Sequence, residues 1–231
     1  MNFEPARWHV YRDTTALQQH AVEMILHTAQ ASLSQQNHFH IVLAGGTTPQ
    51  AIYEQLRHAP TDWHRWHIYF GDERCVATDH PDRNSRMAAH AWLQHVAIPA
   101  TQIHAIAAEK GPVLGAQEYA QILSGVGPFD LVLLGLGEDG HTASLFPGQD
   151  WGTATISPAV LPVLQAPKPP PERISLSAWR LGLAHQVIFL VAGDNKRSAV
   201  DDWRAGKTLP ATAIRPAAGV DILVTRNCYT Y

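Results

Sequence analysis

Phe129-Asp-Leu-Val-Leu-Leu-Gly-Leu-Gly-Glu-Asp-Gly-His-Thr-Ala-Ser-Leu-Phe-Pro147 is an apolar run that ends in glycines and passes at once to Asp139 and His141. A continuous apolar segment bounded by turn residues reads as a strand covered on both faces, the pattern of a parallel sheet. Glycines let the backbone turn sharply and let a ligand come close. A histidine with a carboxylate two residues away is a candidate general base. A rigid strand thus delivers a proton-transfer group to the edge of a sheet. Gly135, Gly137 and Gly140 also fit the dinucleotide-binding spacing, but that fingerprint needs a helix at the third glycine and an acidic residue about 20 positions on. Pro147 and Gly148 come too soon for such a helix, and residues 155–158 hold no carboxylate. No cofactor is expected.

Outward from this strand, helical and strand patterns alternate. Residues 13–36 carry Leu17, Ala21, Met24, Ile25 and Ala29 at helical spacing, with Asp13 or Thr14 as the cap. Residues 39–44 read as a strand, followed by a glycine-rich turn and a helix to Leu56 whose first turn suits Pro49. Further strands are predicted at 66–70, 103–106, 173–176, 186–192 and 220–225, the last closing the sheet. Helices are predicted at 83–95, 116–123 and from Lys196 to about Arg204. This alternation argues for an α/β fold with a parallel sheet covered on both faces. No internal repeat or domain boundary is visible, so one domain over residues 1–231 is expected. Gln165-Ala-Pro-Lys-Pro-Pro-Pro171 reads as a stiff surface loop.

Bulk properties narrow the function. Of 231 residues 45% are hydrophobic and 16% charged, which allows a substantial core. A formal net charge of −3 gives no general affinity for nucleic acid or an anionic membrane. No apolar run approaches the ~18 residues of a membrane span. The first residues lack the order of a signal peptide, and two cysteines, Cys75 and Cys228, fit a reducing compartment, so a cytoplasmic location is expected. The pairs His38/His40 and His64/His67 have no cysteine or carboxylate at a ligand spacing, so no metal is expected.

Four predicted strand ends carry polar loops: residues 45–48, 71–74, 135–141 and 193–196. Ligands of open parallel sheets bind beyond the carboxyl ends of the strands, so all four loops should face one crevice. Gly45, Gly46, Thr47 and Thr48 open a helix, offering free amides and hydroxyls as a phosphate seat. The lysine of a nucleotide-binding P-loop is missing there. Lys196 and Arg173 could supply positive charge. Asp72 offers a carboxylate to orient bound groups, and Arg74 a guanidinium to meet developing negative charge.

Taken together, Gly45-Gly-Thr-Thr-Pro49, Gly71-Asp-Glu-Arg74, the Gly135–Pro147 run, Arg173-Ile-Ser and Gly193-Asp-Asn-Lys196 resemble the 6-phosphogluconolactonase family. The glucosamine-6-phosphate deaminases of the same superfamily share the Asp-Gly-His core. The resemblance implies a single Rossmann-like domain with a mostly parallel sheet flanked by helices. It implies hydrolysis of 6-phosphoglucono-δ-lactone to 6-phosphogluconate, the second step of the oxidative pentose phosphate pathway. In that reading His141 is the general base, Asp139 orients it or a water, and Arg74 contacts the substrate. Gly45 to Thr48 hold the phosphate, with Arg173 and Lys196 as partners. The match departs at Arg83, where the family usually has serine. Deaminases carry a catalytic carboxylate five residues after the histidine; here that residue is Phe146. A deaminase-like isomerase and a non-catalytic sugar-phosphate sensor are the competing readings. Gly-x-Ser-x-Gly is absent, which argues against a serine hydrolase. A small sugar-phosphate lactone is the expected partner, and the protein is expected to be a monomer or homodimer.

Overall fold

The computed structural model describes residues 6–229. The elements run β1 (Arg7–Tyr11), α1 (Thr14–Gln36), β2 (Phe39–Leu43), α2 (Thr47–Leu56), β3 (Trp66–Phe70), β4 (Asp72–Arg74), α3 (Asn84–Ala91) and β5 (Ile103–His104). They continue with α4 (Pro112–Leu123), β6 (Phe129–Gly135), β7 (Val160–Val163), β8 (Arg173–Leu176), α5 (Ala178–Gly182), β9 (Ala184–Val191), α6 (Arg197–Arg204) and β10 (Val220–Thr225). Seven strands form one sheet in the order β1-β10-β9-β6-β2-β3-β5, and every pairing is parallel. The fold is therefore a single α/β domain with a parallel sheet flanked by helices, as the alternation of patterns implies.

The apolar strands form because they are covered on both faces. The first six residues of β6 and all six of β10 are buried. Helix α1 starts where the Asp13 carboxylate accepts from the Ala16 amide at 2.8 Å, and it buries Leu17, Ala21, Ile25 and Ala29. Met24, expected on that face, is only partly buried.

Chain order and strand order together make a crevice. From β2 the chain moves outward to β3 and then β5, whereas β6 lies on the other side of β2 and is followed outward by β9 and β10. The connections leaving β2 and β6 therefore diverge, and their carboxyl ends bound a topological switch point.

Several expectations need correction. β1 is an edge strand, at best partly buried along its length and without clean alternation in Arg-Trp-His-Val-Tyr; it pairs outside β10, so β10 is an inner strand and does not close the sheet. Residues 72–74 are not a loop but a three-residue strand. With β8 and β7 it makes a second, antiparallel sheet in the order β4-β8-β7. β7 contains Pro162, which a strand tolerates at a sheet edge. Helix α3 stops at Ala91 and passes into a single 3₁₀ turn, Leu93–His95. Helix α4 starts four residues early, at Pro112, because proline fits the first helical position.

Candidate active site

Three polar loops and the short strand β4 follow β9, β6, β2 and β3, four adjacent parallel strands, so all four segments leave from one edge of the sheet. The two that flank the switch point carry the glycine-threonine turn and His141. Gly46, at φ 109°, turns the chain into α2, whose start has no side-chain cap. Pro49 has no amide hydrogen, so Thr47 and Thr48 present the open N–H groups of that helix end. Gly45 must be glycine for packing reasons: a Cβ there would sit 2.0 Å from the Asn84 Oδ1.

His141 is held by its own loop. The Thr142 hydroxyl donates to the Gly135 carbonyl at 2.8 Å, and the Gly137 amide donates to the His141 carbonyl at 2.7 Å. The imidazole rests on Gly137, where a Cβ would meet Nδ1 at 1.9 Å. Asp139 Oδ1 accepts from the His141 amide at 3.2 Å and pairs with the ring Nδ1, leaving Nε2 as the free nitrogen. Burial lowers the His141 pKa, and Asp139 opposes this without cancelling it. Burial alone would raise the Asp139 carboxyl, but hydrogen bonds from His141 hold it below its ordinary value. The pair is thus a neutral imidazole against an ionised carboxylate at neutral pH. With Nδ1–H turned to Asp139, the lone pair on Nε2 can take a proton.

The fully buried Phe146 ring lies 4.7 Å from the imidazole, and the Arg173 guanidinium stands over the same ring at 5.6 Å. Arg173 is buried, and burial lowers its pKa. Its Nε and Nη2 donate to main-chain carbonyls of Lys168, Pro169 and Pro170, which leaves Nη1 uncommitted. Arg74 stands directly opposite Arg173 across the β4–β8 pair. Its Nη1 donates to the Asp82 carbonyl at 2.5 Å, while its buried Nε has no hydrogen-bond partner. Two guanidiniums facing each other on one strand pair repel unless an anion joins them.

Asp72 and Lys196 complete the set of expected site residues. Asp72 is buried, accepting from the Ser144 hydroxyl at 2.6 Å and from Asn84 Nδ2 at 3.2 Å. It ties the His141 loop to α3, and its charge is felt by both His141 and Arg173. Lys196 ends a 3₁₀ turn, Asp194–Lys196, that Gly193 opens at φ 105°. Burial lowers its pKa against the opposing charges of Glu138 and Asp139, which places it beside the histidine loop. Asn195 Nδ2 donates to Glu138 at 2.6 Å and fastens the two loops together. Two polar residues of this neighbourhood were not singled out from the sequence. Ser144 sits inside the quoted motif and reads there as a turn residue. Lys168 lies in the proline-rich stretch, and its charge acts on both His141 and Lys196.

Residues 12–223 match the family described as glucosamine-6-phosphate isomerases/6-phosphogluconolactonase. The chain is 40% identical over 200 residues to a 6-phosphogluconolactonase of Nostoc sp., covering 83% of this chain and 82% of that protein. It is 33% identical over 224 residues to the 6-phosphogluconolactonase of Mycobacterium leprae, covering 91% and 89%. The crystal structure of a 6-phosphogluconolactonase from Thermotoga maritima superposes with a TM-score of 0.88 at 27% identity, covering 96% of this chain and all of that one.

Proposed function

The chain belongs to the glucosamine-6-phosphate isomerase/6-phosphogluconolactonase family, and we propose that it hydrolyses 6-phosphoglucono-δ-lactone to 6-phosphogluconate by water attack assisted by His141. The observation that separates this reaction from amino-sugar deamination is Phe146, packed against the imidazole. A phenyl ring cannot shuttle the proton that opening an amino-sugar ring requires. A lactone starts from a closed acyl centre and needs only an activated water. The relatives named 6-phosphogluconolactonases agree with that choice. Within the pentose phosphate pathway this is the hydrolytic step, carried out in the cytoplasm.

The substrate phosphate binds at the Thr47 and Thr48 amides, with Lys196 and the free Nη1 of Arg173 as cationic partners. The C1 carbonyl then lies near His141. Nε2 removes a proton from water as its oxygen bonds to C1. Arg74 or loop amides hold the developing oxyanion. The C1–ring oxygen bond breaks, and the imidazolium returns its proton to that oxygen, giving the open-chain acid. Asp139 stabilises the transient imidazolium.

The deciding experiment is pH-controlled hydrolysis of freshly generated lactone by wild type and His141→Ala, with the spontaneous reaction subtracted. Positioned general-base catalysis contributes about 10²–10⁴ in rate, so the variant should lose at least about 10²-fold in kcat with its fold intact. Wild-type turnover in the variant would remove His141 as the base. No acceleration by wild type would remove the lactonase reading.

A further inference from the structure

Lys196 lies beside the histidine loop without a hydrogen bond or ion pair of its own among the described residues; charges further off, Glu138 foremost, are what oppose its burial. Its ammonium group is therefore placed by the backbone of its own turn. That turn is a single 3₁₀ turn, Asp194–Lys196, opened by Gly193 in the left-handed region. The Lys196 amide closes it by donating to the Gly193 carbonyl at 2.9 Å. One such turn has poor hydrogen-bond geometry and needs outside support to hold its shape.

The support comes from a second 3₁₀ turn, Arg226–Cys228, which follows β10. The fully buried Cys228 thiol donates to the Gly193 carbonyl at 3.0 Å, the same oxygen that accepts from Lys196. The Thr225 hydroxyl lies 3.1 Å from that sulfur. Asn227 Nδ2 donates to the Asp194 carboxylate, and the Asn227 carbonyl accepts from Arg197 Nε at 3.1 Å and Nη2 at 2.7 Å. Cys228 thus holds the start of the Lys196 turn, while Asn227 holds Asp194 and the residue just after Lys196. On the other side Asn195 Nδ2 fastens the turn to Glu138 of the histidine loop. A misplacement of about 1 Å is enough to cost a positioned group much of its effect.

We propose that Asn227 and Cys228 are positioning residues: the turn they form after β10 fixes the Gly193–Lys196 turn and so sets where Lys196 meets the substrate relative to His141. This rests on the lactonase reading, in which Lys196 contacts the substrate. Neither Asn227 nor Cys228 touches it.

The test is a double-mutant cycle. Asn227→Ala, Cys228→Ala and Cys228→Ser are each made alone and on Lys196→Ala, and lactone hydrolysis is followed together with thermal unfolding. Asn227→Ala and Cys228→Ala should each raise KM roughly three- to tenfold with kcat nearly kept, the effect of one hydrogen bond acting on binding. Cys228→Ser keeps a donor for the Gly193 carbonyl and should recover most of the loss. Lys196→Ala should itself raise KM at least about tenfold, as loss of a charge-assisted contact does. On that background the further change from either alanine variant should shrink below about twofold, because the side chain they position is gone. Asn227 is exposed, so its variant decides the matter even if emptying the buried 228 position unfolds the domain. A purely structural turn would lower Tm and leave KM alone. An unchanged KM in Asn227→Ala, an equal rise in both backgrounds, or a wild-type KM in Lys196→Ala would each overturn the assignment. If wild type fails to hydrolyse the lactone, the lactonase reading falls separately, and the same cycle is followed as calorimetric affinity for 6-phosphogluconate. Weaker binding by Asn227→Ala only where Lys196 is present sustains the proposal; any other pattern, including no binding by wild type, ends it.

Discussion

At the residue scale, the His141 pKa is set by opposing neighbours, and each can be removed alone. Burial pushes it down, Asp139 pulls it up and Lys168 pushes it down. Catalysis by a neutral imidazole rises as pH rises through that pKa. Asp139→Asn keeps the shape of the side chain but removes the charge that favours the imidazolium. Its acid limb in kcat/KM should therefore move to lower pH. The plateau should fall roughly 10²-fold, because Nδ1 loses the carboxylate that orients the ring and steadies its charged form. A limb that stays in place, measured on the lactone across pH 5 to 8, would mean that Asp139 does not act through His141. Asp139 and His141 were readable because they are sequence neighbours framed by glycines, and the Gly137 requirement reflects the ring lying on its backbone. Lys168 was not, because its reach depends on Arg173 gathering three carbonyls that look like ordinary loop backbone. Asp72 reads as a ligand group from its strand-end position. Only the fold reveals that both its oxygens face protein donors.

At the scale of elements, the start of α3 explains the departure at Arg83. The residue before the helix is Arg83, which gives it no side-chain cap. Glu73 from β4 does so instead: its fully buried carboxylate accepts from the amides of Asn84 at 2.7 Å, Ser85 at 2.8 Å and Arg74 at 2.9 Å. Arg83 turns inward, with Nε 3.4 Å from Glu73 and hydrogen bonds to Glu109 and the Val76 and Ile106 carbonyls. A cap supplied from another element leaves no local trace in the sequence, and so the site looked incomplete there. Glu73→Ala takes one of two carboxylates from the buried Arg83 guanidinium and leaves two helix amides without their acceptor. The expected loss is about 3–5 kcal/mol. In a domain of this size that is roughly 10 °C in Tm. Glu73→Gln keeps an acceptor and should lose less. Thermal unfolding followed by circular dichroism measures both, and an unchanged Tm in the alanine variant would show that α3 does not depend on this cap. Where signals are local the reading succeeds: β3 and β10 have the predicted bounds because each is a mainly apolar run ended by turn or polar residues, and the short alternating Arg-Ile-Ser-Leu of β8 also keeps its predicted bounds. β1 and β7 fail for the opposite reason, being edge strands with half-exposed or proline-containing sequences.

At the scale of the molecule, strand order decides what sits at each end of the sheet, and order is not written in any one segment. The sequence gives four loops at strand ends; only the order β6-β2 makes two of them the walls of a crevice. The same order gathers His40, His67 and His104 from β2, β3 and β5. His67 Nδ1 and His104 Nε2 are 3.5 Å apart, and the His40 ring is 4.8 Å from that of His67. Read singly along the chain, these histidines give no sign of one another; stacked and half-buried, they resist protonation. Burial, reinforced by the neighbouring imidazoles, lowers His40 to about 4 and lowers His67 and His104 as well. Their folded pKa values lie below the unfolded value, so the stability they confer is complete above about pH 6.5 and is lost as pH falls toward 4. Asp221 acts in a lower window. Burial alone would raise it, but hydrogen bonds from Arg7, His9 and Gln186 hold it at about 2, so its contribution fades only below about pH 4. The urea midpoint should therefore drop between pH 7.5 and pH 5, before carboxylates titrate. For His40 the loss is roughly 1–2 kcal/mol after allowing for its partial contact with water. His40→Gln should flatten that part of the profile while leaving the decline below pH 4 intact. A midpoint constant from pH 7.5 to 5 in wild type would show that the stack accepts protons as freely folded as unfolded. The catalytic histidine also has a lowered pKa, so activity per folded molecule should persist to a pH at which the fold itself is already weakening.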